Sequence, residues 1–308
     1  MGCFTAPTEV HSTNIFARMT APGTEALVYQ MEYSAQKPTA MILPLPVALP
    51  ASESSVTWKD LKAYPTFFAD LALAFPAEEP RSQSMAKSAA AEAVPLGTIQ
   101  VHEVGDFIAS FVPSQADFTR LDPRFVITSD VWAAFPEYKD YGFAVFQLKE
   151  LSGAPHPIAF TFQSRLKDAL YFPTVHIHDG TAHKQDQFDH VLYVQDARFD
   201  AKVHDYDGPN KADKATGYVR SKDNAKASVD VGSALGLVDG DHLIHKTTLT
   251  GMLPNKDTIV GLDLPAASSG CGRCDFVPRH SELSLGPAAL SLAGLAWVIR
   301  RRNRIRRR

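Results

Sequence analysis

The stretch that decides the fold runs from residue 141 to residue 195 and reads YGFAVFQLKELSGAPHPIAFTFQSRLKDALYFPTVHIHDGTAHKQDQFDHVLYVQ. Four runs within it are rich in aromatic and β-branched residues, and short polar segments containing Gly, Pro and Asp separate them. Successive strands with short polar connections favour an antiparallel sheet over alternating strand–helix units. We predict strands at residues 141–148, 157–162, 172–178 and 188–195.

The same patterns extend outward from this stretch. Strands are predicted at residues 14–19, 26–34 and 40–47, with turn chemistry at Ala21-Pro22-Gly23, and a hairpin at residues 97–104 and 106–112. Helix-like spacing runs through residues 58–75, where Pro65 interrupts it, and a short helix is predicted at residues 130–138. The predicted fold class is α+β, dominated by a sandwich-like antiparallel β-sheet, with a C-terminal transmembrane helix.

Composition and charge narrow the class of protein. Of the 308 residues, 45% are hydrophobic and 21% are charged, which is typical of a globular domain. The net charge of −3 hides an asymmetry, because seven of the last nine residues are Arg. Without them the chain has 24 basic and 34 acidic residues, a net charge of −10. An acidic body excludes nucleic acid as the main partner.

The C-terminal tail has the pattern of a membrane anchor. Residues 283–299 (LSLGPAALSLAGLAWVI) contain no charge and are followed at once by RRRNRIRRR. As a helix they would extend about 26 Å, close to the ~30 Å of a hydrocarbon core. The positive-inside rule would keep the arginines cytoplasmic and place the body outside the membrane. The anchor residues are predicted to be Leu283, Trp297, Ile299, Arg300, Arg301 and Arg302.

The tail also resembles a known class of signal. The sequence CGRC at residues 271–274, an apolar segment and an Arg cluster together resemble the tripartite C-terminal sorting signals of bacterial surface proteins. That resemblance implies processing or lipidation at Cys271 or Cys274, although the family motif has one residue fewer between its cysteines; in an exported protein Cys271 and Cys274 can also form a small disulfide. The segments GFAVFQLKE, YFPTVHIHDG and FDHVLYVQDA resemble an uncharacterised group of exported bacterial proteins, which implies no activity. We expect a location in the bacterial cell envelope and a removed leader or an internal start, since MGCFTAPTEV has no apolar core.

A histidine cluster is the strongest candidate for chemistry. Five of the eleven histidines lie within residues 176–204, and His176 and His178 share one face if they lie in a strand. If residues 172–178 and 188–195 form an antiparallel pair, His190 lies opposite His176. Two histidines from one strand and one from its neighbour can bind zinc and leave a position open for water. The alternative is that His176 and His178 lie on the solvent face of an amphipathic strand.

These patterns divide the chain into six regions. They are a β-rich region with one helix (1–76), a linker or exposed loop (77–95), the main β-rich domain (96–265), a Gly/Ser/Cys stalk (266–282), the transmembrane or sorting helix (283–299) and an Arg-rich cytoplasmic tail (300–308).

Two functions are favoured on the sequence alone, ahead of a thiol oxidoreductase that would need Cys271 and Cys274 on a domain and not on a stalk. The first is a membrane-anchored extracytoplasmic protein that binds an unknown protein or small molecule without catalysis. The second is a zinc-dependent hydrolase or lyase that uses His176, His178 and His190, with Asp179 or Asp189 as the group that orients a ligand or acts as the base.

Overall fold

The computed structural model describes residues 2–76, 98–206 and 216–263. The predicted linker at 77–95, both tail cysteines and all the predicted anchor residues lie outside these ranges. Within them, no helix is long and apolar enough to cross a membrane.

The described chain is built mainly from strands. In chain order they are β1 (Gly2–Phe4), β2 (Thr8–Ala21), β3 (Thr24–Ala35), β4 (Ala40–Leu45), β5 (Val56–Asp60), β6 (His102–Val104), β7 (Phe107–Val112), β8 (Gly142–Leu148), β9 (Ser152–Gly153), β10 (Ile158–Gln163), β11 (Ala169–Phe172), β12 (His176–Ile177), β13 (Gln185–Gln195), β14 (Val219–Arg220), β15 (His245–Pro254) and β16 (Thr258–Gly261).

Helices are few and short. The α-helices are α1 (Phe67–Leu73), α2 (Ser129–Trp132) and α3 (Ala197–Asp200), and single 3-10 turns cover Gln115–Arg120, Pro123–Phe125, Pro136–Asp140 and Ala225–Ala227. The predicted β-dominated α+β class is confirmed. The predicted helix over 58–75 is correct only in its second half, because β5 occupies the residues before Pro65.

The strands form two large sheets and a small one. The first sheet has the order β12-β1-β4-β8-β7-β6, and the second has the order β14-β15-β13-β2-β3-β10-β5, with β9 beside β3. A separate pair joins β11 to β16. Two pairings, β1 with β12 and β13 with β2, are parallel, so the sheets are mixed and not purely antiparallel as predicted.

The central strands of each large sheet are buried on both faces. The layer between them contains alternate residues of the central strands, such as Phe146 from β8 and Tyr29 and Phe160 from the second sheet. The other face of the first sheet packs under α2 and the 3-10 turns, and the other face of the second packs under α1 and the segment around Ala225–Ala227. Burial on both faces explains the near-continuous apolar runs of the central strands.

Two local predictions are confirmed in detail. The β2–β3 turn has Pro22 followed by Gly23 at φ +73°, as a type II turn requires. β6 and β7 form the predicted antiparallel hairpin, with Val104 opposite Phe107. Both sheets contain strands from residues 2–76 and strands from residues 98–263: β4 pairs with β8, and β3 pairs with β10. These two predicted regions therefore share one core.

Replacing Phe146 with Ala should lower the free energy of unfolding by about 3–5 kcal/mol. The ring is 1% exposed and packs against Trp58 at a centroid distance of 5.3 Å and Phe160 at 6.0 Å, so its loss leaves a cavity. Denaturant unfolding measures the change. Leu73→Ala, at a side chain that is 74% exposed, is the control and should cost less than ~0.5 kcal/mol. Equal losses in the two variants would contradict the layered core.

Candidate functional site

The three predicted zinc ligands do come together, but not by the predicted pairing. The predicted strand at 172–178 is two separate strands: β11 pairs with β16, and β12 pairs in parallel with β1. His176 on β12 therefore belongs to the first sheet, and His190 on β13 belongs to the second. The predicted antiparallel pair between them is wrong. The rings meet across the space between the two sheets.

The three imidazoles form a stack with His176 at its centre. The centroid of His176 lies 5.1 Å from that of His178 and 5.1 Å from that of His190, with interplanar angles of 16° and 32°. Phe188 also stacks on His176, at 4.1 Å. His176 and His190 are fully buried. The ring of His178 packs against Phe4 in a T-shaped arrangement, with the ring centroids 5.8 Å apart. The rings thus act as aromatic packing groups at the junction of the sheets.

Burial determines the charge of these rings. It lowers the pKa of His176 to about 2 and that of His178 to about 4, and it lowers the pKa of His190 well below its usual value. Both ring nitrogens of His176 lack a hydrogen-bond partner within the described chain, and the nearest carboxylate oxygen, from Asp186, lies 3.6 Å from Nδ1. Desolvation is the largest influence on each of the three rings, and it favours neutral imidazole.

The stack is a poor geometry for zinc. An imidazole lone pair lies in the plane of its ring, so the stacked rings of His176 and His178, 16° apart, direct their lone pairs side by side and not toward one point. A zinc ion needs nitrogen ligands that converge at about 2.0–2.1 Å. Within residues 2–76, 98–206 and 216–263, no group of three or more His, Cys, Asp or Glu side chains is placed to hold a metal ion. The zinc hypothesis gains no support from the described residues.

The remaining members of the sequence cluster lie elsewhere. His183 is exposed, and its Nε2 lies 3.0 Å from the Asp179 carboxylate, which raises the pKa of His183. His204 is exposed, and its backbone carbonyl accepts from Arg220. The carboxylate of Asp189 accepts from the backbone N–H of Ser12. The hydrogen bonds of Asp179 and Asp189, the predicted orienting groups, therefore lie outside the ring stack, and Asp179 acts on His178 only through its charge.

A half-buried carboxylate that the sequence did not reveal is Asp257. One of its oxygens accepts from the hydroxyls of Tyr138, at 2.5 Å, and Tyr171, and the other accepts from the Val175 backbone N–H at 2.9 Å. Burial raises the pKa of Asp257 to about 6. This carboxylate attaches the turn before β16 to β11 and to the segment leading into β12.

A second carboxyl lies in the layer between the sheets. Glu25 on β3 is fully buried and accepts from the Tyr171 backbone N–H at 2.7 Å. Burial raises the pKa of Glu25 to about 8, which keeps the carboxyl protonated at neutral pH. Glu25 shares a face of β3 with the buried residues Leu27 and Tyr29. The alternation of side chains along this strand could therefore have indicated that Glu25 is buried.

Asn255 fixes the backbone beside the histidine stack. Its side-chain oxygen accepts from the His176 N–H at 2.7 Å, and its amide nitrogen donates to the His176 carbonyl at 2.7 Å and to the His183 carbonyl at 3.1 Å. One side chain thus satisfies both main-chain groups of His176, which holds β12 in the position that stacks its ring.

Comparison with known proteins adds little. No protein-family model matches the chain, and no curated protein matches it. The solved structures similar to it include the crystal structure of baculovirus P35, at 14% identity and a TM-score of 0.41, covering 82% of this chain and 97% of that one. The crystal structure of the caspase-8/P35 complex matches at 14% identity and a TM-score of 0.38, covering 82% and 96%. Similarities this distant carry no inference about this chain.

The histidine stack should make the protein sensitive to acid. A buried ring that stays neutral when folded but takes up a proton near pH 6.5 when unfolded contributes stability that is present above pH 6.5 and is lost as the pH falls below it. For a fully buried ring such as His176 the loss between pH 7 and pH 5 is on the order of 2 kcal/mol. His176→Phe, which keeps an aromatic ring, should be less acid-sensitive by that amount in denaturant titrations.

The raised pKa values of Glu25 and Asp257 act in the opposite direction, because stability from a carboxyl protonated in the fold falls as the pH rises. Glu25 and Asp257 are present in both the wild type and His176→Phe. The difference between the pH profiles of these two proteins therefore reports the contribution of the His176 ring alone. His183→Phe is the matched control, and it removes an exposed histidine whose pKa is raised by Asp179. Parallel pH profiles for wild type and His176→Phe would show that His176 titrates normally.

Proposed function

We propose that the chain is a membrane-anchored protein of the bacterial cell envelope whose β-rich body lies outside the membrane and binds a protein or small molecule without catalysis. The observation that carries the non-catalytic part of this proposal is the histidine stack. The histidines that the sequence offered for metal chemistry pack as neutral rings between the two sheets. Their burial gives them a structural role that needs no metal.

The anchor part of the proposal rests on the sequence of residues 283–308. An uncharged segment of 17 residues followed by seven arginines has the order of a stop-transfer sequence. The remaining chain is strongly acidic and would be repelled by the anionic lipids of the cytoplasmic leaflet. This favours a body on the other side of the membrane. The resemblance to bacterial sorting signals supports the same orientation.

Charges placed in the apolar segment should release the protein from membranes. Leu290→Arg together with Leu292→Arg adds two charges near its centre, each costing about 2.5–3.5 kcal/mol of insertion free energy. After expression in bacteria, the full chain should float with membranes in a density gradient and resist carbonate extraction, whereas the variant should be extracted.

The matched control carries two arginines on the body, Leu73→Arg and Val101→Arg, at side chains that are 74% and 43% exposed. It has the same net charge as the tail variant and should remain with the membranes. Release of the control, or retention of the tail variant, would contradict anchoring by residues 283–299. Flotation distinguishes membrane association from aggregation, since aggregates sediment.

The proposal also predicts that the purified full chain contains only substoichiometric zinc by elemental analysis. One zinc per chain that disappears when His176, His178 and His190 are all changed to Phe, and persists in a His183→Phe, His204→Phe control, would favour the hydrolase or lyase. Circular dichroism of each variant shows whether loss of zinc reflects loss of the ligands or loss of the fold.

A further inference from the structure

The second sheet ends in a strand whose outer edge is largely uncovered. β15 pairs with β13 along its whole length, from His245 opposite Val194 to Pro254 opposite Gln185. On the other side β14 covers only His245 and Lys246. No strand of the described chain pairs with the outer edge of residues 247–254. An uncovered edge of this length is a template for pairing with another strand.

The direction of the main-chain groups follows from the two ends of β15. At one end the Ser221 N–H, on the β14 side, donates to the Ile244 carbonyl at 2.7 Å. At the other end the Asn255 N–H donates to the Lys184 carbonyl, on the β13 side, at 3.0 Å. Along an antiparallel strand, the N–H and C=O groups of successive residues point to opposite sides. The main-chain groups of the even-numbered residues of β15 therefore point outward, away from β13. The outward residues beyond β14 are Thr248, Thr250 and Met252, and Pro254 ends the series because it has no N–H.

The side chains of this edge complement a copy of themselves. Residues 247–254 (TTLTGMLP) contain no charge, so an antiparallel pair of these segments brings no like charges together. With Thr250 opposite Thr250, the partner's Leu249 lies opposite Gly251, where no atom lies within 4 Å of the position a Cβ would take. Thr248 lies opposite the partner's Met252, whose side chain is 61% exposed in the single chain. A Thr–Thr pair is favourable across antiparallel strands.

We infer that β15 is an interface between two copies of this chain, which pair antiparallel about a two-fold axis at Thr250 and join their second sheets into one. Thr248, Thr250 and Met252 of each copy supply about six main-chain hydrogen bonds. The occupant is a second copy because the residue pattern matches in this register: the space at Gly251 accepts the partner's Leu249, and Pro254, which has no N–H, ends the pairing before it reaches the residues that the partner's β14 covers. The inference is independent of the membrane anchor.

Charge reversal at the axis tests this pairing specifically. Thr250→Lys and Thr250→Glu each place two like charges opposite one another, so each variant alone should be monomeric while the wild type is dimeric. An equimolar mixture of the two variants should be dimeric, because opposite charges then meet. The mass of the full chain in mild detergent is measured by light scattering or sedimentation.

Thr119→Lys, at an exposed threonine on the outer layer of the first sheet, is the control and should leave the dimer intact. Circular dichroism establishes that each variant is folded. A wild-type monomer, a Thr250→Lys dimer or a mixture that stays monomeric would each overturn the inference. A wild-type monomer that binds extended peptides along β15 would assign the edge to a different partner.

Cross-linking provides a second readout that does not depend on weakening the dimer. Residues directly opposite in a hydrogen-bonded antiparallel pair have Cα atoms about 5.5 Å apart, within the range of a disulfide. Thr250→Cys should therefore form a covalent dimer on mild oxidation beyond the level seen with the parent chain and its own three cysteines. Thr119→Cys is the matched control. Equal cross-linking of the two variants would contradict pairing at Thr250.

Discussion

Burial of both faces of the central strands in each large sheet is the constraint on which the rest of the structure depends. Every residue of β8 is buried, and alternate side chains of this strand enter two different apolar layers. A strand in that position has no solvent-facing side on which polar residues can be placed without cost. Any polar side chain in such a layer must therefore find a partner inside the protein or remain neutral.

The polar groups of the interior follow that rule in different ways. The Asp257 carboxylate is satisfied by two tyrosine hydroxyls and a backbone N–H, and Asn255 satisfies both main-chain groups of His176. Glu25 remains protonated because its burial raises its pKa to about 8. The three histidines are neutral and use their ring faces for packing. Burial on both faces thus explains why this chain contains ionisable side chains that do not titrate in their usual ranges.

The sequence predicted local structure well and partner choice poorly. The strands β2, β3, β4, β7 and β8 follow from apolar patterning, and the β2–β3 turn follows from Pro22 and Gly23. Nothing local indicated that the chain between Phe172 and His176 leaves one sheet for another, because the partners of β11 and β12 lie far away in sequence. The predicted proximity of His176 and His190 was correct although the predicted strand pairing was wrong. Because alternate residues of a strand share a face, His190 lies on the same face of β13 as Leu192 and Val194. That face is turned toward the layer between the two sheets, where the ring of His190 lies beside the ring of His176.

The neutral state of the histidine stack can be observed directly. Long-range ¹H–¹⁵N correlation spectra of the imidazole nitrogens report the protonation state and the tautomer of each ring. The account predicts that His176, His178 and His190 remain neutral from pH 7.5 to pH 5.5 and do not shift when zinc is added, while the exposed His183, whose pKa is raised by Asp179, is protonated at pH 5.5. Protonation of His176 or His190 near pH 6.5, or a shift of all three rings with one equivalent of zinc, would contradict a purely structural stack.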